Sequence, residues 1–164
     1  MLSDSYVEYA VKSKPEKNFY LGVAGGILCI MLGIFLLLFD LVGIAIVLIG
    51  ICLIVFFGKT KNIEYEYIIT NGNVEISAIY GASRRTVKKQ FDATLIKMVC
   101  PGDSNRLAGE QFAKRFDFTS KNKAQSNVAV VVERDEKKEL VLLELNDKCI
   151  DHMKSYLRHK VYDL

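Results

Sequence analysis

The sequence predicts a membrane α-hairpin of two transmembrane helices, followed by a small antiparallel β-roll or barrel that one C-terminal helix closes. Three observations predict it. Residues 19–58 form an apolar tract broken by a single charge, Asp40. From Ile63 onward the apolar residues alternate instead, and the first alternating run ends at Asn71-Gly72. From Asn146 the spacing changes again, to that of an amphipathic helix.

The tract has two halves, about 19–39 and 41–58. Each approaches the roughly 20 apolar residues that cross about 30 Å of hydrocarbon. Together they are too long for one helix in one bilayer, so the chain is expected to turn at Asp40. A signal peptide has a shorter apolar core, of about 7–15 residues, with a cleavage site after it. Lys12, Lys14 and Lys17 precede the tract, Lys59 and Lys61 follow it, and the turn carries only Asp40. The positive-inside rule therefore predicts a multi-pass protein of the cell membrane with both termini cytoplasmic. Asp40 reads as a cap for the second helix in headgroup water. Gly22, Gly26 and Gly33 share one face of the first helix, and Gly43 and Gly50 one face of the second. Small faces let two helices approach closely. The hairpin's own packing is the first expectation for them, and a homodimer through the same stripe is the alternative.

Residues 1–18 form a cytoplasmic lead. Ser3 or Asp4 as a cap, with Tyr6, Val7, Ala10 and Val11 on one side, suggests a short interfacial helix ending at Pro15, and a frayed lead is the equal alternative.

Residues 63–164 make the soluble domain. Ile63, Tyr65, Tyr67 and Ile69 line one side of a strand, and Asn71-Gly72 is a strong hairpin signal. Val74, Ile76, Ala78 and Tyr80 continue on the return strand, and Gly81-Ala82-Ser83 turns into a third strand over 84–91 with Val87 and Phe91 inward. Residues 92–100 fit either a short strand or a helical turn. Phe112, Phe116 and Phe118 mark a further strand, Val128 to Glu133 another, and Leu140 to Leu145 pairs with that one across a charged turn. Asn146 then caps a helix over about 147–161, with Ile150, Met153, Leu157 and Val161 on its apolar stripe. Six or seven antiparallel strands plus one plugging helix is the order of a pleckstrin-homology-like (PH-like) barrel, an order that other small β-rolls share.

At the level of whole segments the chain resembles the small bacterial membrane proteins of the DUF6106-type family, found mainly in Firmicutes. The resemblance rests on the lead VEYAVKSKPEK, the two-span hairpin and IEYEYIITNGNVEISAIYGASRR. Within the last, YEYIITNGNVEI looks like the first hairpin of membrane-tethered bacterial PH-like domains. The resemblance implies a PH-like C-terminal fold and brings no catalytic residues with it.

The chemistry-bearing residues are sparse. No nucleophile elbow, P-loop or zincin motif is present, and the four cysteines match no C-x-x-C spacing, so no catalytic residue, metal or cofactor is expected. His152 and His159 lie seven apart, too far along a helix to ligate one metal, and read as surface residues. Cys100, beside Pro101, reads as a buried structural thiol. The net charge of +3 is mild, and no strand interleaves bases with aromatics, so no nucleic-acid partner is expected. The best binding candidates are Lys59, Lys61, Arg84, Arg85, Lys88 and Lys89, facing anionic lipid or a partner, although strand alternation keeps the last four off one common face.

The predicted function is a non-enzymatic, membrane-anchored module. It binds a protein or lipid partner at the inner face of the membrane, with membrane lipids and a membrane-associated protein as the expected partners. The alternative is an accessory subunit that docks on a larger membrane complex through its transmembrane hairpin.

Overall fold

A computed structural model of the chain describes residues 6–15, 17–58, 61, 63–81, 84–122 and 127–164. Ser3, Asp4, Lys59, Ala82 and Ser83 lie outside the described residues. The chain forms two compact units. One combines the segment ending at Ser13 with Glu64–Ile79 and Arg85–Leu164, and the other combines Lys14–Ile63 with Tyr80–Arg84.

The first unit holds the sheets. Its first strand, β1 (Tyr6–Ser13), corrects the expected interfacial helix. Val7, Tyr9 and Val11 turn to one side and Tyr6, Glu8, Ala10 and Lys12 to the other, with Val11 buried. An apolar run this short fits both periods. Its fate is decided by pairing with β2 (Ile63–Thr70), a partner about fifty residues away in sequence. β2, β3 (Asn73–Tyr80) and β4 (Arg84–Phe91) complete a four-stranded sheet in the order β1-β2-β3-β4. The turn between β2 and β3 has φ of 52° at Asn71 and 83° at Gly72, the paired positive angles of a type I′ hairpin.

A short 3-10 turn, Ala93–Leu95, resolves the ambiguous 92–100 stretch and leads into β5 (Ile96–Pro101). With β6 (Lys114–Asp117), β7 (Val128–Arg134) and β8 (Lys137–Leu143) it forms a second sheet in the order β5-β7-β8-β6. β7 runs antiparallel to β5 and β8, but β6 runs parallel to β8, which departs from the all-antiparallel expectation. The β7–β8 turn is tight, with φ of 50° at Asp135 and 63° at Glu136. Tyr67, Ile69, Val74, Ile76 and Ile96 are fully buried, and Tyr65 meets Phe118 edge-on at 5.4 Å. Phe91 is buried as expected from its strand, whereas Val87 is 53% exposed.

α3 (Asp147–Leu157) begins at Asn146, whose side chain accepts the Cys149 N–H at 2.9 Å, a cap contributing about 1 kcal/mol. It buries Cys149, His152, Met153 and Leu157 and lies beside β1. The helix stops at Leu157, short of the expected 161, because Arg158 turns to a φ of 40°.

The second unit holds α1 (Lys17–Leu36) and α2 (Val42–Gly58), packed on each other and joined through the turn at 37–41. By length and composition, α1 is long and apolar enough to cross a membrane; α2 is apolar over 17 residues and falls below that length. Of the two predicted spans, only α1 meets that length among the described residues, and α2 is a shorter apolar helix. Both helices expose large apolar side chains, including Leu21 and Leu28 on α1 and Leu48 and Phe56 on α2.

The hairpin is an insertion. β1 comes before it and β2 after it, and the two strands are neighbours in one sheet. The expected division into a lead, an anchor and a domain over 63–164 thus leaves one strand of the sheet on the wrong side of the boundary.

Candidate functional site

The expected basic set does not converge. Lys59 lies outside the described residues. Arg85 points along the outer face of the first sheet, where its Nη2 stands 2.7 Å from Glu66 Oε2 and 3.5 Å from Glu75 Oε1. Lys89 instead reaches the second sheet, pairing with Glu139 and sitting 4.0 Å above the Phe116 ring. Lys88 is exposed on β4. Lys61 and Arg84 are exposed and form no ion pair among the described residues. Both belong to the compact unit that holds α1 and α2. Among the described candidates, Arg85 and Lys89 are thus tied to carboxylates, and Lys61 and Arg84 are exposed.

Two acids hold Arg85, Glu66 on β2 and Glu75 on β3, and Glu8 on β1 extends the row through its hydrogen bond with Glu66. Burial pushes the Glu66 carboxyl above the usual carboxylate range, and Arg85 pulls it back. Glu8 is held below that range by the Tyr6 phenol, which donates to it, and by a hydrogen bond with Glu66. The row depends on β1 joining the sheet.

The glycines do meet. A Cβ at Gly26 would stand 2.6 Å from the Ile54 side chain and 2.9 Å from Gly50 O. One at Gly33 would stand 2.8 Å from Val47 N and 2.9 Å from Gly43 O. Gly22 faces the Phe57 ring. Gly26 thus opposes Gly50 and Gly33 opposes Gly43, so the small stripe of each helix is filled by the other.

The remaining candidates carry no reactive chemistry. His152, expected at the surface, is only 5% exposed, with its ring 4.8 Å from that of Tyr156, and burial lowers its basicity. The end of α3 at Leu157 also removes His159 from its helix face. Burial raises the thiols of Cys100 and Cys149, which keeps them protonated and inert. Among the described residues, no group of three or more metal-type side chains comes together.

A second patch was not visible in the sequence. On the outer face of the second sheet, Cys100, Ala129, Val131 and Leu140 form a small apolar cluster, covered by Leu107 and Phe112 from the loop after β5 and by Tyr162. That loop is tied down by Lys138, which bonds Glu110 and draws its carboxyl below the usual range. Lys97 lies 3.7 Å from Glu110 and 3.4 Å from Glu133.

Compared with known proteins, residues 3–163 match a family model described as a bacterial PH-like domain (DUF6106). The match runs through the helical hairpin, not only the part that follows it. No curated protein and no solved structure matches.

Proposed function

The chain belongs to the DUF6106 family of bacterial PH-like domains, and from that premise we propose that it is a non-enzymatic binding module anchored at the inner face of the cell membrane by its helical hairpin. The observation that carries this reading is the insertion. β1 and β2 are neighbours in one sheet, so the chain that leaves after Ser13 must be back by Ile63 on the same side of any bilayer. If α1 crosses, an odd number of crossings is impossible, and α2 is the remaining apolar segment between those strands. Its 17 residues span about 26 Å, at the lower edge of what a bilayer accepts. The exposed leucines and phenylalanines of both helices have the chemistry lipid tails require.

Orientation follows from charge. Lys12, Lys14, Lys17 and Lys61 flank the open end of the hairpin in sequence, and the turn carries only Asp40. Within the basic set, Lys61 and Arg84 are the bases proposed to meet anionic headgroups, at about 1 kcal/mol each. Arg85 and Lys89 act within the fold. Tethering raises the effective concentration of a weak binding face, so the module's grip on a membrane-associated protein need not be tight by itself. Docking on a larger complex, or dimerisation, through the glycine stripe is the weaker reading, because each stripe is already filled by the facing helix.

Two exposed positions test the arrangement. Asp40→Cys should react with a membrane-impermeant maleimide in intact cells, and Lys137→Cys only after permeabilisation. Labelling of Lys137→Cys in intact cells would put the sheets outside and defeat the proposal.

A further inference from the structure

β5 is an edge strand. β7 pairs with one side of it, and the other side is taken by the segment that follows α3. After the Arg158–Lys160 turn, Val161 forms a parallel bridge with Val99, and Tyr162 N–H donates to Val99 O at 2.8 Å. Two side chains seat this short strand. The Tyr162 ring packs on the apolar cluster around Cys100 and Ala129. Arg106 lies over that ring at 4.4 Å, and its Nε donates to Asp163 Oδ2 at 3.1 Å.

An open strand edge invites another extended chain, because its N–H and C=O groups have no ladder partner. Here the chain supplies its own cover, and among the described residues its polar ties are few: one bridge, the Tyr162–Val99 main-chain bond, Lys160 Nζ donating to Ala93 O at 3.1 Å, and an ion pair whose side chains are 49% and 63% exposed. Such a half-solvated pair holds weakly. The seat also states what it accepts. It takes a backbone that is extended at Val161 and turns at Asp163, where φ is 56°, an aromatic ring for the apolar cluster, and a carboxylate one residue later for Arg106.

We propose that the β5 edge, Arg106 and the cluster around Cys100 form a docking site for an extended segment of a partner protein bearing an aromatic residue followed by an acidic one, and that Val161–Asp163 fills this site as a displaceable internal strand. The partner's strand replaces the internal one, bond for bond. The site does not depend on the membrane reading, and its failure would leave the anchor untouched.

The test uses the full chain in detergent micelles and a fluorescein-labelled peptide of residues 158–164, RHKVYDL. Tyr162→Ala with Asp163→Ala loosens the internal strand. This double variant should bind the peptide at least about tenfold more tightly than the native chain, whose affinity is reduced by the fraction of time its edge is covered. Adding Arg106→Ala should abolish that binding. Alkylation mapped by mass spectrometry supplies a second readout: Cys100 should react faster in the double variant and slow again with peptide, while Cys149 stays protected and reports that the fold is intact. If the double variant exposes Cys149, Asp163→Lys alone takes its place under the same expectations. Equal peptide binding by native and loosened chains, or none by a loosened chain with Cys149 protected, overturns the proposal. Concentration-dependent dimerisation of the native chain that free peptide reverses would make a second copy the occupant, and would overturn the partner assignment.

Discussion

Arg85 on β4 and Glu66 on β2 form an ion pair across β3, 2.7 Å between Nη2 and Oε2, and Glu66 is 8% exposed while the Arg85 side chain is 46% exposed. The pair therefore joins a solvated cation to a desolvated anion. Its main effect is to let a buried carboxylate stay ionised, and not to draw an outside anion to the sheet.

Removing the cation should expose that cost. Arg85→Ala is expected to destabilise the fold by about 1–3 kcal/mol at pH 7. The loss should depend on pH with a definite sign. Burial raises the Glu66 carboxyl above its ordinary value of 4.5, so the folded state takes up its proton more readily than the unfolded one. Folding is thus favoured most below that value, and the advantage is lost as pH rises through the raised one. Without Arg85 the carboxyl rises further, and the penalty at neutral pH grows. Urea unfolding of native and variant chains at pH 4 and pH 7 should show the smaller difference at pH 4. An equal difference at both would mean that Arg85 acts through packing alone.

Tyr67 makes the other decisive polar contact of the core. It is fully buried, and its hydroxyl donates to Phe118 O at 2.6 Å, joining the first sheet to the segment after β6. Burial holds its phenol un-ionised far above the ordinary tyrosine range. Tyr67→Phe keeps the ring and removes the donor, leaving that carbonyl without this partner. A loss of about 1–3 kcal/mol is expected, read as a lowered unfolding midpoint with an unchanged slope.

The insertion makes a prediction about where the domain can be cut. Residues 63–164 alone lack β1, whose Val11 is buried and whose Tyr9 ring lies 6.4 Å from that of Tyr67. That fragment should be poorly folded. Joining Ser13 to Ile63 through a flexible linker of about ten residues should restore the sheet and give a soluble protein. Such a linker reaches about 35 Å, more than an eight-residue strand is long, so it serves whichever way β1 runs. Cooperative unfolding of the linked chain, and its absence in the fragment, is the expected contrast. A fragment as stable as the linked chain would show β1 to be dispensable.

What was legible in the sequence was local. Asn71-Gly72 demanded positive φ and took it; Asn146 was an N-cap and caps α3; the alternation of Tyr65, Tyr67 and Ile69 put those side chains in the core. The rest depended on partners far along the chain. Tyr6 to Ser13 contains Val7, Tyr9 and Val11 at strand spacing and Tyr6, Val7, Ala10 and Val11 at helical spacing, and only β2 decides between them. The parallel register of the four-residue β6 against β8 leaves no periodic trace. His152 looked like a surface residue because its spacing from His159 assumed a helix that Arg158 ends. The bases of β4 read as a cluster because the acids of β2, β3 and β8 that hold Arg85 and Lys89 come from other strands.

Neighbouring glycines in α1 give the sharpest test of the hairpin. At Gly26 an added Cβ meets Ile54 at 2.6 Å and the Gly50 carbonyl oxygen at 2.9 Å; at Gly25 it meets nothing within 4 Å. Gly50 is as tight, with the Gly26 oxygen and Ile30 each at 2.7 Å. Backbone cannot yield as a flexible side chain does, so Gly26→Ala and Gly50→Ala must push the helices apart, at the roughly 1–3 kcal/mol typical of overpacking. Gly25→Ala changes helix propensity alone and should be neutral or slightly stabilising. Thermal unfolding in micelles should separate Gly26→Ala and Gly50→Ala from Gly25→Ala. If Gly26→Ala were neutral for the monomer but broke an oligomer, the stripe would serve assembly, and the hairpin would have to be held together by contacts other than its glycines.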